Sequence, residues 1–237
     1  MAITIKSERE IELMAEAGKI LERVHNELEK ALRPGMSTKD IDTLGEEIIR
    51  SYGCIPSFLN YNGYPASICV SVNQEVVHGI PDKHRIIQEG DIVSLDAGVI
   101  YKGYHSDAAR THAVGEVSEE AKKLIQVTKE SFFEGIKFAK AGNHLFDISG
   151  AIGRYAEERG YGVVRDLCGH GIGTALHEAP EIPNYEVGRK GVRLRPGMTL
   201  AIEPMINIGT HEVDWLDDDW TVVTRDGSLS VSYTHLR

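Results

Sequence analysis

The chain has 237 residues, enough for one large domain or two small ones, and 41% of them are hydrophobic, enough to bury a substantial core. Its 36 acidic against 26 basic residues leave a net charge of −10, which argues against nucleic acid as a partner, because phosphate binding wants a basic face. No stretch is long and apolar enough to cross a membrane or to act as a secretory signal, and Cys54, Cys69 and Cys168 show no CxxC spacing. A cytoplasmic protein with free thiols and no membrane contact is expected.

Ser7-Glu8-Arg9-Glu10 has capping-box spacing, and Ile11, Met14, Leu21, Val24 and Leu28 follow at helical intervals until Pro34-Gly35. A second helix is expected from about Ser37-Thr38 to near Gly53, carrying Ile41, Leu44, Ile48 and Ile49. A strand-rich stretch runs from about Ser67 to Val114. Ser118 then opens a long helix with Leu124, Ile125, Phe132 and Ile136, ending near Ala141-Gly142, and another helix spans about Phe146 to Gly160.

The second half repeats the first. At a constant offset of 107, Gly35 meets Gly142, Asp40-Ile41 meets Asp147-Ile148, and Gly53 meets Gly160. Gly90 to Asp96 likewise meets Gly197 to Glu203, each a glycine turn, an apolar strand and a terminal acid. One offset held across four landmarks points to duplication. Two such halves about a pseudo-twofold axis bring Asp96 and Glu203 face to face.

Ile92 to Ile100 reads as a strand and Tyr104 to Thr111 as its return, with Lys102-Gly103 as the turn. That loop pairs Tyr101 with Tyr104 and sets Asp107 diagonal to Asp96; a register two residues away sets them directly opposite. In both cases the two acids share a face, because strand side chains alternate. Two carboxylates on an apolar hairpin need compensation. A divalent cation supplies it; a raised carboxylate pKa or a partner such as Arg110 is the alternative. Further on, His170 stands between glycines in Cys168-Gly169-His170-Gly171-Ile172-Gly173, which permits close backbone approach. Two Asp, one Glu and one His form an oxygen-rich set suited to Mn, Fe(II), Co or Zn in a hydrolytic site. Carboxylates shared on one face can bridge two ions ~3.5–4 Å apart.

Asp96, Tyr104-His105-Ser106-Asp107, Gly169 to Gly173, His177-Glu178 and Ile202-Glu203-Pro204 together resemble the motifs of type I (bacterial-type) methionine aminopeptidases, as do Val77 to Pro81 and Asn62 to Pro65. The resemblance spans nearly the whole chain. It implies an α+β pita-bread fold, two pseudo-symmetric helix-helix-strand halves around a central, mostly antiparallel sheet, here residues 1–115 and 116–230 of a single catalytic domain. It implies removal of the initiator methionine from nascent polypeptides by hydrolysis at two divalent ions (Co, Mn, Fe(II), Zn or Ni). Asp96 then chelates one ion, Asp107 bridges both, and His170 holds the other with Glu203, which also accepts the proton of the attacking water. His177 stabilises the oxyanion and His78 contacts the scissile amide; read from the residues alone, each is as well a structural histidine. Tyr61, Tyr64, Cys69, Leu176 and Trp220 match the methionine pocket, where sulfur and aromatic contacts suit a thioether, although ordinary core packing explains each of them singly. Phe58, Asn62 and Leu176 vary within the family. The resemblance further implies a monomer acting on Met-peptides close to the ribosome. Proline-directed exopeptidases share the metal motifs but carry an additional N-terminal domain.

The tail departs from that pattern. Where the family has a final bridging glutamate in a Tyr-Glu-His context, this chain reads Tyr233-Thr234-His235. A threonine hydroxyl bridges two cations poorly. The codons GTC-TCT-TAT-ACA-CAT-CTC-CGA translate to Val231 through Arg237 and resemble a transposon-end adapter from sequencing libraries, so residues 231–237 are expected to be non-native. Thr234 also supports a different reading, a catalytically impaired pita-bread protein that binds partners through the same pocket.

Overall fold

The computed structural model describes residues 2–236. Helix α1 (Glu8–Ala31) opens on Ser7, whose hydroxyl accepts the Glu10 N–H while the Glu10 carboxylate takes the Ser7 N–H, the reciprocal cap expected. Met14, Leu21, Val24 and Leu28 are buried as the periodicity requires, but Ile11 is 40% exposed. It lies in the first turn and belongs to none of the buried clusters that the stripe joins. Helix α2 (Thr38–Ser51) buries Ile41, Ile48 and Ile49 against the same core.

Strands β1 (Ile55–Pro56), β2 (Ile68–Val72), β3 (Glu75–Val77), β4 (Ile92–Tyr101) and β5 (Tyr104–Ala113) follow. The second half holds α3 (Glu119–Ile136), α4 (Leu145–Glu157), β6 (Gly162–Val163), β7 (Gly169–Gly171), β8 (Glu178–Ile182) and β9 (Leu200–Ile202). The α3 helix stops short of the expected end near Ala141, because Phe138 and Ala139 turn their N–H groups to Gly135 and Ile136 and the Asn143 side chain then takes the Phe138 carbonyl. The chain closes with β10 (Met205–Asn207), β11 (Val213–Trp215), β12 (Val222–Thr224), β13 (Ser230–Ser232) and β14 (His235–Leu236).

Every strand pairing among the described residues is antiparallel, but the expected central sheet is divided into four ladders. One joins β1 and β2 to β4 and β4 to β5; another runs β14-β9-β7-β8. Thr234 links them: its N–H donates to Ala109 O at 3.0 Å and its carbonyl accepts the Ala109 N–H at 3.3 Å. The tail read as foreign thus runs within the sheet up to Leu236.

The duplication is visible bond by bond. Gly35 donates to Ile87 O and Gly142 to Leu194 O; Thr38 donates to Arg85 O and Leu145 to Val192 O; the bridge Ser37 to Ile86 recurs as His144 to Arg193. Asp40 and Asp147 both take the N–H of the residue that caps their helix. Each pair keeps the offset of 107. In each half two helices pack one side of the strands, α1 and α2 over β2, β4 and β5, α3 and α4 over β8 and β9.

Asp42 anchors this arrangement locally. Buried on α2, it accepts the Ser67 and Ile68 N–H groups at 2.8 and 3.0 Å and so fixes the start of β2, whose Cys69 stands opposite Asp96. Asp42→Ala leaves two buried donors without partners and should cost about 1–3 kcal/mol. A urea unfolding curve checks this; a midpoint equal to that of the parent contradicts the anchoring role.

Candidate metal centre and active site

The turn between β4 and β5 is Lys102-Gly103, with φ of 49° and 85°, the left-handed pair that matches strand twist. It pairs Tyr101 with Tyr104, and therefore Asp96 with Ala109 and Gly98 with Asp107. The first of the two registers is the one adopted: the acids are diagonal neighbours on one face. His170 on β7 stands opposite Ala201 of β9, two residues before Glu203. A Cβ at Gly169 would lie 2.3 Å from Ala201 O, and one at Gly171 2.2 Å from Ala179 O, so only glycine lets this strand seat His170 between its neighbours. The Asn184 amide donates to Glu203 O at 2.8 Å and holds that turn. By register Thr234 stands between Ala109 and Glu203, giving one row across the sheet from Glu203 through Thr234 and Ala109 to Asp96.

The four side chains converge. His170 Nε2 lies 3.0 Å from Glu203 Oε1 and 3.5 Å from Asp107 Oδ2, while its Nδ1 is 2.9 Å from Gly171 O. That second contact turns Nε2 toward the acids, the orientation a metal ligand needs. Asp107, His170 and Glu203 offer ligand atoms all within 4.8 Å of one another. Asp96 lies outside that triplet but lines the same cavity.

Asp96 Oδ1 and Asp107 Oδ1 are buried without a hydrogen-bond partner, and Glu203 Oε1, equally buried, meets only His170 Nε2. Burial, then repulsion from Asp107 and Glu203, holds the Asp96 carboxyl well above the usual range, and burial raises Glu203 too. Burial alone would lower His170, but Glu203 and Asp107 outweigh it and push the imidazole up to about 11. Two unpartnered carboxylate oxygens and a third that meets only an imidazole are the donor set of a divalent cation, and the residues fit one.

The remaining predicted residues line the same cavity of about 120 Å³, at roughly 30 Å³ per water room for one linear side chain. Tyr64 packs edge-on to Trp220 at 5.1 Å and donates to Gly79 O at 2.9 Å. Cys69 is buried opposite Asp96, and burial pushes its thiol well up, so it presents neutral sulfur. Leu176 is buried beside it. His177 stacks edge-on to His170 at 4.2 Å, and its Nδ1 lies 2.9 Å from the Tyr61 hydroxyl. Burial, then the His170 charge, lowers His177 to about 4, so it is neutral at physiological pH. His78 adopts φ +59° on the loop after β3, a strained backbone for a non-glycine residue. It lies 6.2 Å from Trp220. Phe58 and Asn62, read from sequence only as variable positions, are lining residues as well.

Sequence reading passed over His105. It is buried, donates its N–H to Gly173 O and sets Nδ1 3.0 Å from Ser57 Oγ, tying β5 to the loop that carries His177. Strand alternation from Asp107 already places it on the metal face.

A buried carboxylate cluster beside a small thioether-sized cavity defines a metal-dependent hydrolase. Residues 12–231 match Metallopeptidase family M24, and the chain belongs to that family. It is similar to the methionine aminopeptidase of Clostridium acetobutylicum, at 58% identity over 98% of this chain and 92% of that one. The crystal structure of methionine aminopeptidase from Thermotoga maritima superposes with a TM-score of 0.97 at 46% identity, covering 99% of this chain and 94% of that one. An Xaa-Pro dipeptidase from Bacillus anthracis shares the fold at a TM-score of 0.76 and 28% identity, with 97% of this chain covering 57% of that one. The architecture is the pita-bread fold, and no helix among the described residues is long and apolar enough to cross a membrane.

Asp96 is raised in the fold relative to the unfolded chain, so in metal-free protein its contribution falls as pH rises from the unfolded carboxylate range toward the folded pKa. Asp96→Asn should therefore raise the neutral-pH urea midpoint of the metal-free protein. Parent protein should gain about 2.7 kcal/mol at a hundredfold excess of Mn²⁺ over its Kd, and the variant markedly less. A metal-free variant weaker than its parent, or an equal gain with Mn²⁺, contradicts the assignment.

Proposed function

We propose that the chain removes the N-terminal methionine of newly made polypeptides, with Asp96, Asp107, His170 and Glu203 as the residues that would hold two divalent ions beside the pocket. The observation that carries this reading is the gathering of Asp96, Asp107 and Glu203, with buried oxygens unpartnered on the two aspartates, around His170 beside a cavity walled by neutral sulfur and aromatic rings. The methionine side chain lies against Tyr64, Cys69, Leu176 and Trp220, with Tyr61 at the rim, where thioether contacts to rings are favourable. The free amine of the substrate sits at the carboxylates, which selects a chain terminus over an internal residue.

When bound, the ions polarise the first peptide carbonyl and acidify the attacking water. Glu203, its basicity raised by burial, takes that water's proton. The 2.9 Å contact between the Tyr61 hydroxyl and His177 Nδ1 orients the ring, and in the tautomer with the proton on Nε2 the tyrosine donates to Nδ1 and His177 donates to the developing oxyanion. His78, held by its strained backbone, orients the scissile amide and the leaving nitrogen. Cobalt, manganese, iron(II), zinc and nickel all suit the ligands, and the chain acts as a cytoplasmic monomer on nascent chains near the ribosome.

Thr234 favours a second reading, a protein of this fold that binds Met-peptides with little turnover, since its row in the sheet is where a further carboxylate would reach both ions. Metal-dependent release of methionine from Met-Ala-Ser, with no release from an Xaa-Pro peptide, supports the aminopeptidase; binding without release supports the second reading. His177→Ala should lower kcat about 10²- to 10³-fold. By titration calorimetry with Mn²⁺, Thr234→Glu should tighten the second equivalent; identical isotherms contradict a two-ion site in this row.

A further inference from the structure

A second cavity of about 610 Å³ adjoins the first, and His170 and His177 form part of both walls. It runs between β7, β8 and the N-terminal end of α4, over Cys168, Ala179, Pro183 and Phe146. The inner cavity accommodates one side chain, so a polypeptide whose first residue fills it must leave past these two histidines. We propose that this groove holds the substrate downstream of the cleaved bond and that Glu181 and Arg189 read the charge pattern there, a basic residue near the bond and an acidic one farther along. The proposal rests on the aminopeptidase reading above.

The charges of the groove are asymmetric. Glu178 is already neutralised: Lys6 and Thr4 both bind its Oε2, and its carboxyl stays below the usual range although burial opposes this. Glu181 and Arg189, both exposed, have no ion-pair partner among the described residues. Glu181 is the cross-strand partner of His170, which puts it at the inner end. Arg189 lies over the Phe146 ring, its guanidinium 5.4 Å from the centroid, and this contact keeps a long side chain in the groove. A negative group near the bond and a positive one beyond it complement a peptide of the reverse order.

The test compares peptides of one composition and opposite order, Met-Ala-Lys-Gly-Glu-Gly and Met-Ala-Glu-Gly-Lys-Gly, with the charged pair then moved along positions three to seven. In metal-loaded protein the first order should be favoured in kcat/KM by about two- to fivefold, the range of exposed ion pairs, and the preference should fade with added salt. The exchange E181R with R189E should invert it. Equal rates for both orders at every placement, or a preference that survives the exchange, overturns the groove assignment while the aminopeptidase reading stands. No turnover of Met-Ala-Ser itself overturns that reading, and the groove assignment with it.

Discussion

Asp96, Asp107 and Glu203 are held in one cavity around a single imidazole, and their repulsion is the constraint to which the rest of the structure answers. Two unit charges 4 Å apart cost about 4 kcal/mol at an effective dielectric of about 20. His170 compensates part of this by becoming strongly basic, but a single positive charge cannot satisfy three carboxylates. The buried oxygens left without partners mark what is missing. A site so poised binds a divalent cation because the fold has already paid for assembling the ligands.

That assembly depends on duplication. Matching caps, glycine turns and backbone hydrogen bonds recur at one offset, and they deliver Asp96 and Glu203 to equivalent places in the two halves. The symmetry is then broken for chemistry. The counterpart of His170 is Gly63, in the 3₁₀ turn Tyr61–Gly63, whose Tyr61 and Asn62 line the cavity. One half thus contributes the imidazole, while the equivalent place in the other is a turn whose Tyr61 orients His177. Thr234 lies where the halves meet, and its backbone joins the two ladders whether or not its side chain serves an ion.

Much of this was legible in the sequence because it depends on short-range rules. The Ser7 cap, the turn at Lys102-Gly103 and the shared face of Asp96 and Asp107 follow from local spacing, and the offset of 107 relates the strands that carry Asp96 and Glu203, which lie in one row across the sheet rather than face to face. What the sequence concealed was set by packing at a distance. The early end of α3 depends on Asn143 capping a carbonyl five residues before it, and the exposure of Ile11 on its place outside the buried clusters. The division of the sheet into four ladders arises from pairings between segments far apart in the chain. Residue type alone leaves His78 and His177 open between structural and substrate-facing places; the structure puts both at the cavity, the first with a positive φ and the second with Tyr61 at its Nδ1. Glu181 and Arg189 carried no motif at all.

Anomalous diffraction from crystals grown with Mn²⁺ tests the central claim most directly. The account predicts a peak within bonding distance of Asp107, His170 and Glu203, with Asp96 completing the site. A map with no peak there, or with manganese bound only at surface acids, would contradict it.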